Sequence, residues 1–415
     1  MSGIPDGGKM KPVFDPSWKP THCVWELSMV CNMRCLHCGT YASGAAREDE
    51  LSTERALELV DELVELGLQR ITLSGGEPLL RKDWHLIAQR LMKKGVKTGM
   101  ISNGWFIREN IDKIKSVGEW DVIGMSLDGM RRTHDAFRRT PGSFDRILDA
   151  FRLLKKNGIE TASITCVSKY NFFELDTIHD VLMTHGVKAW QIQPLFAGGR
   201  IREHIDMLLD IKDLYEIARF VARKRKVSPM QVFPADGMGY YSRFEKNIRP
   251  EGWSGCQAGM RVVGIEANGN IKGCLSLFPE AQENNPFVEG NVKEKSLREI
   301  WENPEAFAYN RQFDPSKAEG FCKDCRHLCE CRCGCTAEAF FSTGSTYNNP
   351  YCMYREISTN GEPEYKTTVP MTTEFEQVLD AYYKKTDDEN KAKKKPGIRF
   401  AGKPSEYKPA KLRAF

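Results

Sequence analysis

Short apolar runs alternate, over the first half of the chain, with longer segments in which apolar positions return every three or four residues. The first pattern is that of strands buried on one or both faces, the second that of helices with one apolar stripe. It predicts strands at 22–30, 70–74, 97–102, 121–127, 160–167 and 188–194, with helices at 52–66, 83–94, 107–117, 143–156 and 171–185 between them. A sixth helix is expected within 208–226. Crossovers of this length join parallel strands, so the fold class is α/β: a six-unit parallel (β/α)6 sheet curled into a partial barrel. Gly67, Gly95, Gly118, Gly158 and Gly186 stand where the helices should stop, at similar offsets, and support the repeat. Ser52 is placed as an ordinary N-cap without the Glu of a capping box. Past residue 227 the strands shorten, turns multiply, and Asn268-Gly269-Asn270 reads as a hairpin. The divisions expected are an irregular arm at 1–20, the barrel at 21–226, a small cysteine-rich α+β domain at 227–355 and a charged tail at 356–415, with one amphipathic helix near 371–383.

Charge and composition remove several classes. With 60 Lys+Arg against 56 Asp+Glu the chain is too balanced to grip nucleic acid without local clustering. The first twenty residues contain no apolar signal core, and no run approaches the roughly 18 apolar residues of a membrane span. A cytoplasmic protein without membrane or nucleic-acid partners is expected. Fourteen cysteines then read as metal or cluster ligands rather than disulfides, because a reducing compartment keeps thiols free.

Cys31, Cys35 and Cys38 form C-x3-C-x2-C directly after the first predicted strand. Three thiolates cannot complete a tetrahedral zinc site alone, but they can hold an iron–sulfur cubane with one iron left open. A single zinc completed by His37 or His22 is the competing reading. The second strand ends in Ser74-Gly75-Gly76-Glu77-Pro78, where glycines permit close backbone approach to a ligand and the proline ends the strand. Both motifs fall at carboxyl ends of strands, where parallel β/α folds place their chemistry.

CNMRCLHC, SGGEPLLR, the SNG of Ser102–Gly104 and the SLDG of Ser126–Gly129 together resemble the radical S-adenosylmethionine superfamily over about residues 22–200. The resemblance implies a 4Fe-4S cluster on Cys31, Cys35 and Cys38 whose open iron takes the amino and carboxylate groups of S-adenosylmethionine. Gly75, Gly76 and Glu77, followed by Pro78, would meet the methionine amino group mainly through backbone carbonyls. Electron transfer into the sulfonium would release a 5′-deoxyadenosyl radical that takes hydrogen from substrate. Ser102, Asn103 and Ser126 are implied ribose or carboxylate contacts, Arg138 of the HDAFR segment a carboxylate partner, and His37 a neighbour of adenine. Against these stand plainer readings: Ser126 and Asp128 as a strand end, and Arg138 paired with Asp135 at the surface. Gln191 and Gln193 alternate on the last predicted strand and suit either substrate amides or a structural role. Cys23 and Cys166 fall in strands and read as buried core thiols.

Nine further cysteines lie between Cys256 and Cys352. Cys256-x17-Cys274 followed by Cys322-x2-Cys325-x5-Cys331-x3-Cys335 and then Cys352 is similar to the SPASM extension, which holds auxiliary 4Fe-4S clusters in radical enzymes acting on peptides. Taken alone the spacing suits zinc ribbons equally. The resemblance assigns Cys256, Cys274 and Cys335 to a nearer auxiliary cluster and Cys322, Cys325, Cys331 and Cys352 to a farther one, making three clusters in all. Val262 stands where some relatives carry a further cysteine, so the nearer cluster has three thiols by sequence, with the surplus Cys329 and Cys333 available to fill the gap. Leu275 stands where sulfatase-maturing relatives have a catalytic aspartate, which argues against formylglycine formation and leaves Asp236 and Glu266 as weak general-base candidates. The short segment before the first strand leaves no room for a leader-binding winged helix, so leader recognition would fall to a separate protein or to the basic tail.

The resulting expectation is a radical enzyme that oxidises a peptide or protein, by crosslink, thioether or dehydrogenation, with a flavodoxin- or ferredoxin-type electron donor. Its rivals are oxidation or decarboxylation of a tetrapyrrole or other small metabolite, which calls for a wide apolar cavity, and a non-catalytic zinc-binding interaction protein.

Overall fold

The structure, a computed structural model, describes residues 13–42, 44–45, 49–277 and 285–363, together with Gln377, Leu379, Asp380, Tyr383 and Lys384. The chain divides into two units, 1–372 and 373–415. In the second, the five residues just named are helical; the remainder of the helix predicted near 371–383 and the basic tail lie outside the described residues. Among the described residues no helix is long and apolar enough to cross a membrane.

The first unit is organised by one ten-stranded sheet. Its strands are β1 (His22–Glu26), β2 (Arg70–Ser74), β3 (Lys97–Ser102), β4 (Val122–Ser126), β5 (Thr161–Val167), β6 (Ala189–Pro194), β7 (Gln231–Pro234), β8 (Val262–Ile265), β9 (Asn270–Lys272) and β10 (Gly290–Asn291). They lie in the order β10-β9-β8-β1-β2-β3-β4-β5-β6-β7. All neighbours from β8 through β1 to β7 are parallel, while β9 and β10 add antiparallel edges. The six strands predicted from the apolar pattern thus form the predicted parallel β/α sheet, and the chain beyond residue 227 extends it at both edges. Asn268-Gly269-Asn270 turns β8 into β9 as a hairpin, with Gly269 at φ 93°.

Helices α1 (Thr53–Glu65), α2 (Trp84–Lys93) and α3 (Ile107–Val117) cross between the first four strands. α4 (Arg131–Arg138) and α5 (Ser143–Lys156) follow β4, and α6 (Leu175–His185) and α7 (Ile211–Val227) follow β5 and β6. α1 shows why these segments are helical. Ala56, Leu59, Val60 and Leu63 recur at three- and four-residue intervals, are buried against the sheet, and leave the charged positions outside. Ser52 caps it by accepting the Arg55 N–H at 3.2 Å. α6 stops at Gly186, whose φ of 73° turns the chain into β6 without the steric cost a side chain would bring.

The structure departs from the apolar pattern at two places near the carboxyl ends of the strands. The pattern carries β1 to Val30, but the strand ends at Glu26, because Ser28 Oγ and Met29 N bond to Glu50 Oε1 (3.1 and 2.8 Å) in place of a neighbouring strand. The helix α4 has no counterpart in the pattern: its sequence, RRTHDAFR, has no apolar stripe, yet Thr133, His134, Asp135, Phe137 and Arg138 are all buried.

The turn after β2 is fixed to the turn after β1. Gly76 N donates to Ser28 O and Glu77 N to Val30 O, both at 2.8 Å. A Cβ at Gly75 or Gly76 would lie 2.4 Å from Ser28 O or Val30 O respectively, so these positions are closed to any larger residue. Glu77 is fully buried and accepts from Ser102 Oγ (2.9 Å), Asn103 N (2.8 Å) and Leu79 N (3.3 Å), pinning the end of β3. Arg81, also buried, donates to Leu27 O (2.8 Å), Leu51 O (3.0 Å) and the Asp83 carboxylate (2.7 Å), joining β1 to the starts of α1 and α2. Arg81→Ala leaves Asp83 with Thr53 alone and two carbonyls without this donor, and is expected to cost about 2–4 kcal/mol, read from the urea midpoint.

Burial pushes the Glu77 carboxyl up to about 7, against the pull of its hydrogen bonds. The folded chain therefore holds a proton that the unfolded chain has already released, and this group's contribution to stability declines as pH rises from about 4.5 to 7. Glu77→Gln removes that titration. The stability of the native chain relative to the variant is expected to fall between pH 5 and pH 7, by up to about 3 kcal/mol, measured by urea unfolding of the metal-free chains at both values.

Candidate functional site

A cavity of about 330 Å³ opens among the carboxyl ends of the parallel strands. Glu26 and the loop bearing Cys31, Cys35 and Cys38 enter it after β1, Gly75 and Gly76 after β2, Ser102 and Asn103 at β3, Ser126 at β4, Cys166 on β5 and Gln193 on β6. Leu275 and Ser276, the two residues after Cys274, line the same cavity. Sequence motifs more than two hundred residues apart therefore share one space.

Asp128, two residues beyond β4 and inaccessible to solvent, organises its edge. Its Oδ2 meets Arg138 Nη2 at 2.6 Å and His37 Nε2 at 3.3 Å, while Oδ1 accepts the Cys166 N–H at 3.0 Å. Burial alone would raise this carboxyl, but Arg138 and then His37 hold it well below the usual carboxylate range. The Asp128 N–H donates to His134 Nδ1 at 3.1 Å, and His134, pushed down to about 3 by burial and by Arg138, is neutral. Arg138 extends from this carboxylate to Cys35, with Nη1 3.6 Å from Sγ. The surface pairing of Arg138 with Asp135 does not occur: Asp135 instead accepts Gly142 N, Ser143 Oγ and Phe144 N at the start of α5. Asp128 is thus the hub of the site rather than a simple strand end, and Cys166, read from sequence as a core thiol, lines the cavity beside His37.

The other predicted contacts divide. The Ser102 hydroxyl is committed to Glu77 and to Gly104 N (3.0 Å). Asn103 bonds Asn32 Oδ1 at 2.8 Å and reaches to 3.9 Å from Cys31 Sγ. Pro78 is buried at the start of a short 3-10 turn. Gln193 lines the cavity. Neither general-base candidate does: Glu266 pairs with Lys272 and Asn270 in the β8–β9 hairpin, and Asp236 is exposed. The carboxylate that does line the cavity is Glu26, which its place in an apolar strand concealed.

Burial raises the thiols of Cys31, to about 12, and of Cys35, so each needs a compensating positive charge or metal to ionise. Local donors are in place. Cys31 Sγ accepts Met33 N, Cys274 Sγ accepts Ser276 N and Cys325 Sγ accepts His327 N, each at 3.4 Å and each from two residues on. Such N–H···S bonds are what metal-bound thiolates use, and they tune the potential of a cluster. Among the described residues the one trio of His, Cys, Asp or Glu ligand atoms lying within 4.8 Å of one another is His37, Asp128 and Cys166, and Arg138 already occupies Asp128 there. Cys31, Cys35 and Cys38 are not drawn together as tightly as one zinc ion, with its Zn–S distances of about 2.3 Å, requires. His22, the alternative zinc ligand, bonds Thr21 at the amino end of β1. His37 Nδ1 and Arg138 Nε are buried without hydrogen-bond partners at the cavity, and the Arg138 Nε–H is a donor suited to an anionic group.

The C-terminal thiols fall into two sets. Cys274 and Cys335 pack with Phe287, Phe341 and Tyr309, and Cys256 lies close enough to act on both. Cys322, Cys325, Cys331 and Cys352 line one small cavity of about 20 Å³ together with Cys333. The surplus Cys333 thus belongs with the farther set, and Cys329 is exposed outside both.

Comparison with known proteins accords with this arrangement. The radical SAM superfamily profile matches residues 25–182, and that of the SPASM iron–sulfur cluster-binding domain matches 256–326. The AdoMet-dependent heme synthase of Methanosarcina barkeri is 30% identical, over 81% of this chain and 97% of that protein. The mycofactocin maturase MftC of Mycolicibacterium smegmatis is 27% identical, over 80% and 82%. Among solved structures, Streptococcus suis SuiB bound to S-adenosylmethionine superposes with a TM-score of 0.64 at 16% identity, over 81% of this chain and 78% of that one, a likeness of fold. The chain belongs to the radical SAM superfamily, carries a SPASM domain, and is an enzyme that binds S-adenosylmethionine and iron–sulfur clusters.

Proposed function

We propose that the enzyme oxidises a peptide or protein substrate, with a first 4Fe-4S cluster on Cys31, Cys35 and Cys38 and two auxiliary clusters on the two C-terminal thiol sets. The observation that carries this reading is the single cavity reaching from the first cysteine loop to Leu275 and Ser276 beside Cys274. A substrate held there lies between the hydrogen-abstracting group and an electron acceptor. When bound, S-adenosylmethionine and the first cluster supply a 5′-deoxyadenosyl radical able to take hydrogen from carbon. Arg138 keeps a fixed positive charge beside Cys35 and offsets the cost of a buried thiolate. The backbone at Gly75 and Gly76, made rigid by its bonds to the cysteine loop, offers carbonyls to the methionine amino group. Leu195, Phe196 and Ile201 exclude water from the cavity, and Gln193 offers an amide to a peptide group.

The lining charges favour a neutral substrate. Among the described lining residues Arg138 is the one Lys or Arg, and Asp128 holds it; Glu26 adds an acid. Such a wall gives no countercharge to a substrate with several carboxylates. Oxidation of a tetrapyrrole is the second reading, favoured by the heme synthase that matches over 97% of its own length.

Cys35→Ala is expected to remove about four irons per chain and to abolish 5′-deoxyadenosine formation in anaerobic assays with S-adenosylmethionine and dithionite. Retention of either contradicts the assignment. With the intact protein, short peptides encoded beside the gene are expected to raise 5′-deoxyadenosine above its basal rate and to lose hydrogen mass, while iron coproporphyrin III is left unchanged. Decarboxylation of that porphyrin, read by mass spectrometry, establishes the second reading instead.

A further inference from the structure

The nearer auxiliary set offers three thiols, Cys256, Cys274 and Cys335, and a 4Fe-4S cluster has four irons. The residues that could have supplied a fourth thiol are accounted for elsewhere. Val262 occupies a position in β8, Cys333 joins the farther set and Cys329 is exposed. One polar group at the nearer set is left without a role. Tyr309 packs beside Cys274 and Cys335, with its ring edge-on to Phe287 at 5.3 Å. Its hydroxyl is buried; the Gly273 N–H faces the oxygen, but no acceptor takes the hydroxyl proton. It is admitted there because the residue before Cys274 is Gly273, on which a Cβ would stand 2.3 Å from that oxygen. The thiols of Cys256 and Cys274 both lie within electrostatic range of it. A buried hydroxyl whose proton finds no acceptor is rare, because it forfeits a hydrogen bond to water and gains none in return. Asp236 also lies within electrostatic range of this set, but the residue is exposed and its carboxyl answers to Arg249.

The geometry points to Tyr309 as the fourth ligand of the nearer auxiliary cluster, its phenolate oxygen binding the iron that the three cysteines leave open. Tyrosinate is an established donor to protein-bound iron. On assembly the O–H bond is exchanged for O–Fe, the proton passes to solvent and no electron moves. The consequence is that this cluster has no vacancy for substrate, and its part in the reaction is confined to electron transfer. The inference rests on the reading that the nearer set holds a 4Fe-4S cluster.

The test uses the full-length protein, reconstituted anaerobically with iron and sulfide, and resonance Raman spectroscopy with ring-deuterated tyrosine. Isotope-sensitive modes of an iron-bound tyrosinate are expected in the native chain. They should vanish in Tyr309→Phe while iron content stays the same, and added cyanide should then perturb the spectrum of one auxiliary cluster in the variant but not in the native protein. Absence of those modes from the native chain, their survival in Tyr309→Phe, or an equal response to cyanide in both overturns the assignment. Should the variant not fold, the native spectrum with and without deuterium still decides whether a tyrosinate is bound. A double variant, Cys256→Ala/Cys274→Ala, separates the underlying reading: if its iron content equals that of the native chain, no cluster resides at the nearer set.

Discussion

A carboxylate sealed from water holds the edge of the cavity together. Asp128 reaches Arg138 on α4, His37 on the cysteine loop and the backbone of Cys166 on β5, while its own carbonyl accepts Asn171 Nδ2 at 2.6 Å. Removing such a charge from water is costly, and the arrangement is stable only because a guanidinium and several N–H groups meet it together. Removing one partner of such a pair leaves a bare buried charge, at a cost of about 3–5 kcal/mol. The same guanidinium touches Cys35, so the charge that fixes the fold here also stands where it would offset a thiolate at that residue.

The second constraint is topological. β1 is paired on both sides by parallel strands, β2 and β8, so the C-terminal region joins the first sheet as a continuation of it. The chain leaving β9 then lays Leu275 and Ser276 against the cavity. A residue beside an auxiliary thiol and a residue beside the first cysteine loop come to line one space without any loop having to span the distance between them. Phe196, after β6, stacks on Phe341 of the helix Thr336–Thr343, closing the cavity's other flank against the same C-terminal region.

How far the sequence can be read depends on what holds each element in place. The strands of the parallel sheet and most of its helices arise from local periodicity, and β2, β3, α3 and α5 take the predicted limits. The segment α4 is hidden because most of what it buries is polar: Thr133, His134, Asp135 and Arg138 go inward beside only Ala136 and Phe137, which no apolar pattern records. The importance of Asp128 is hidden for the same reason, since its partners come from three separate parts of the chain. The resemblance to the SPASM extension implies two C-terminal thiol sets, but not that Cys333 joins the farther one, which depends on the left-handed turn at Arg332 and Cys333 (φ 50° and 59°). Glu26 gives no signal beyond its place in a strand.

The central claim is that three cysteines after β1 hold a cluster with one iron reserved for S-adenosylmethionine. It is tested most directly by electron paramagnetic resonance of the reduced, reconstituted protein before and after that compound is added. The account predicts that one cluster's signal changes on addition and shows coupling to nitrogen when the methionine amino group carries 15N. An unchanged spectrum, or a loop that takes up a single zinc ion in place of iron, would contradict it.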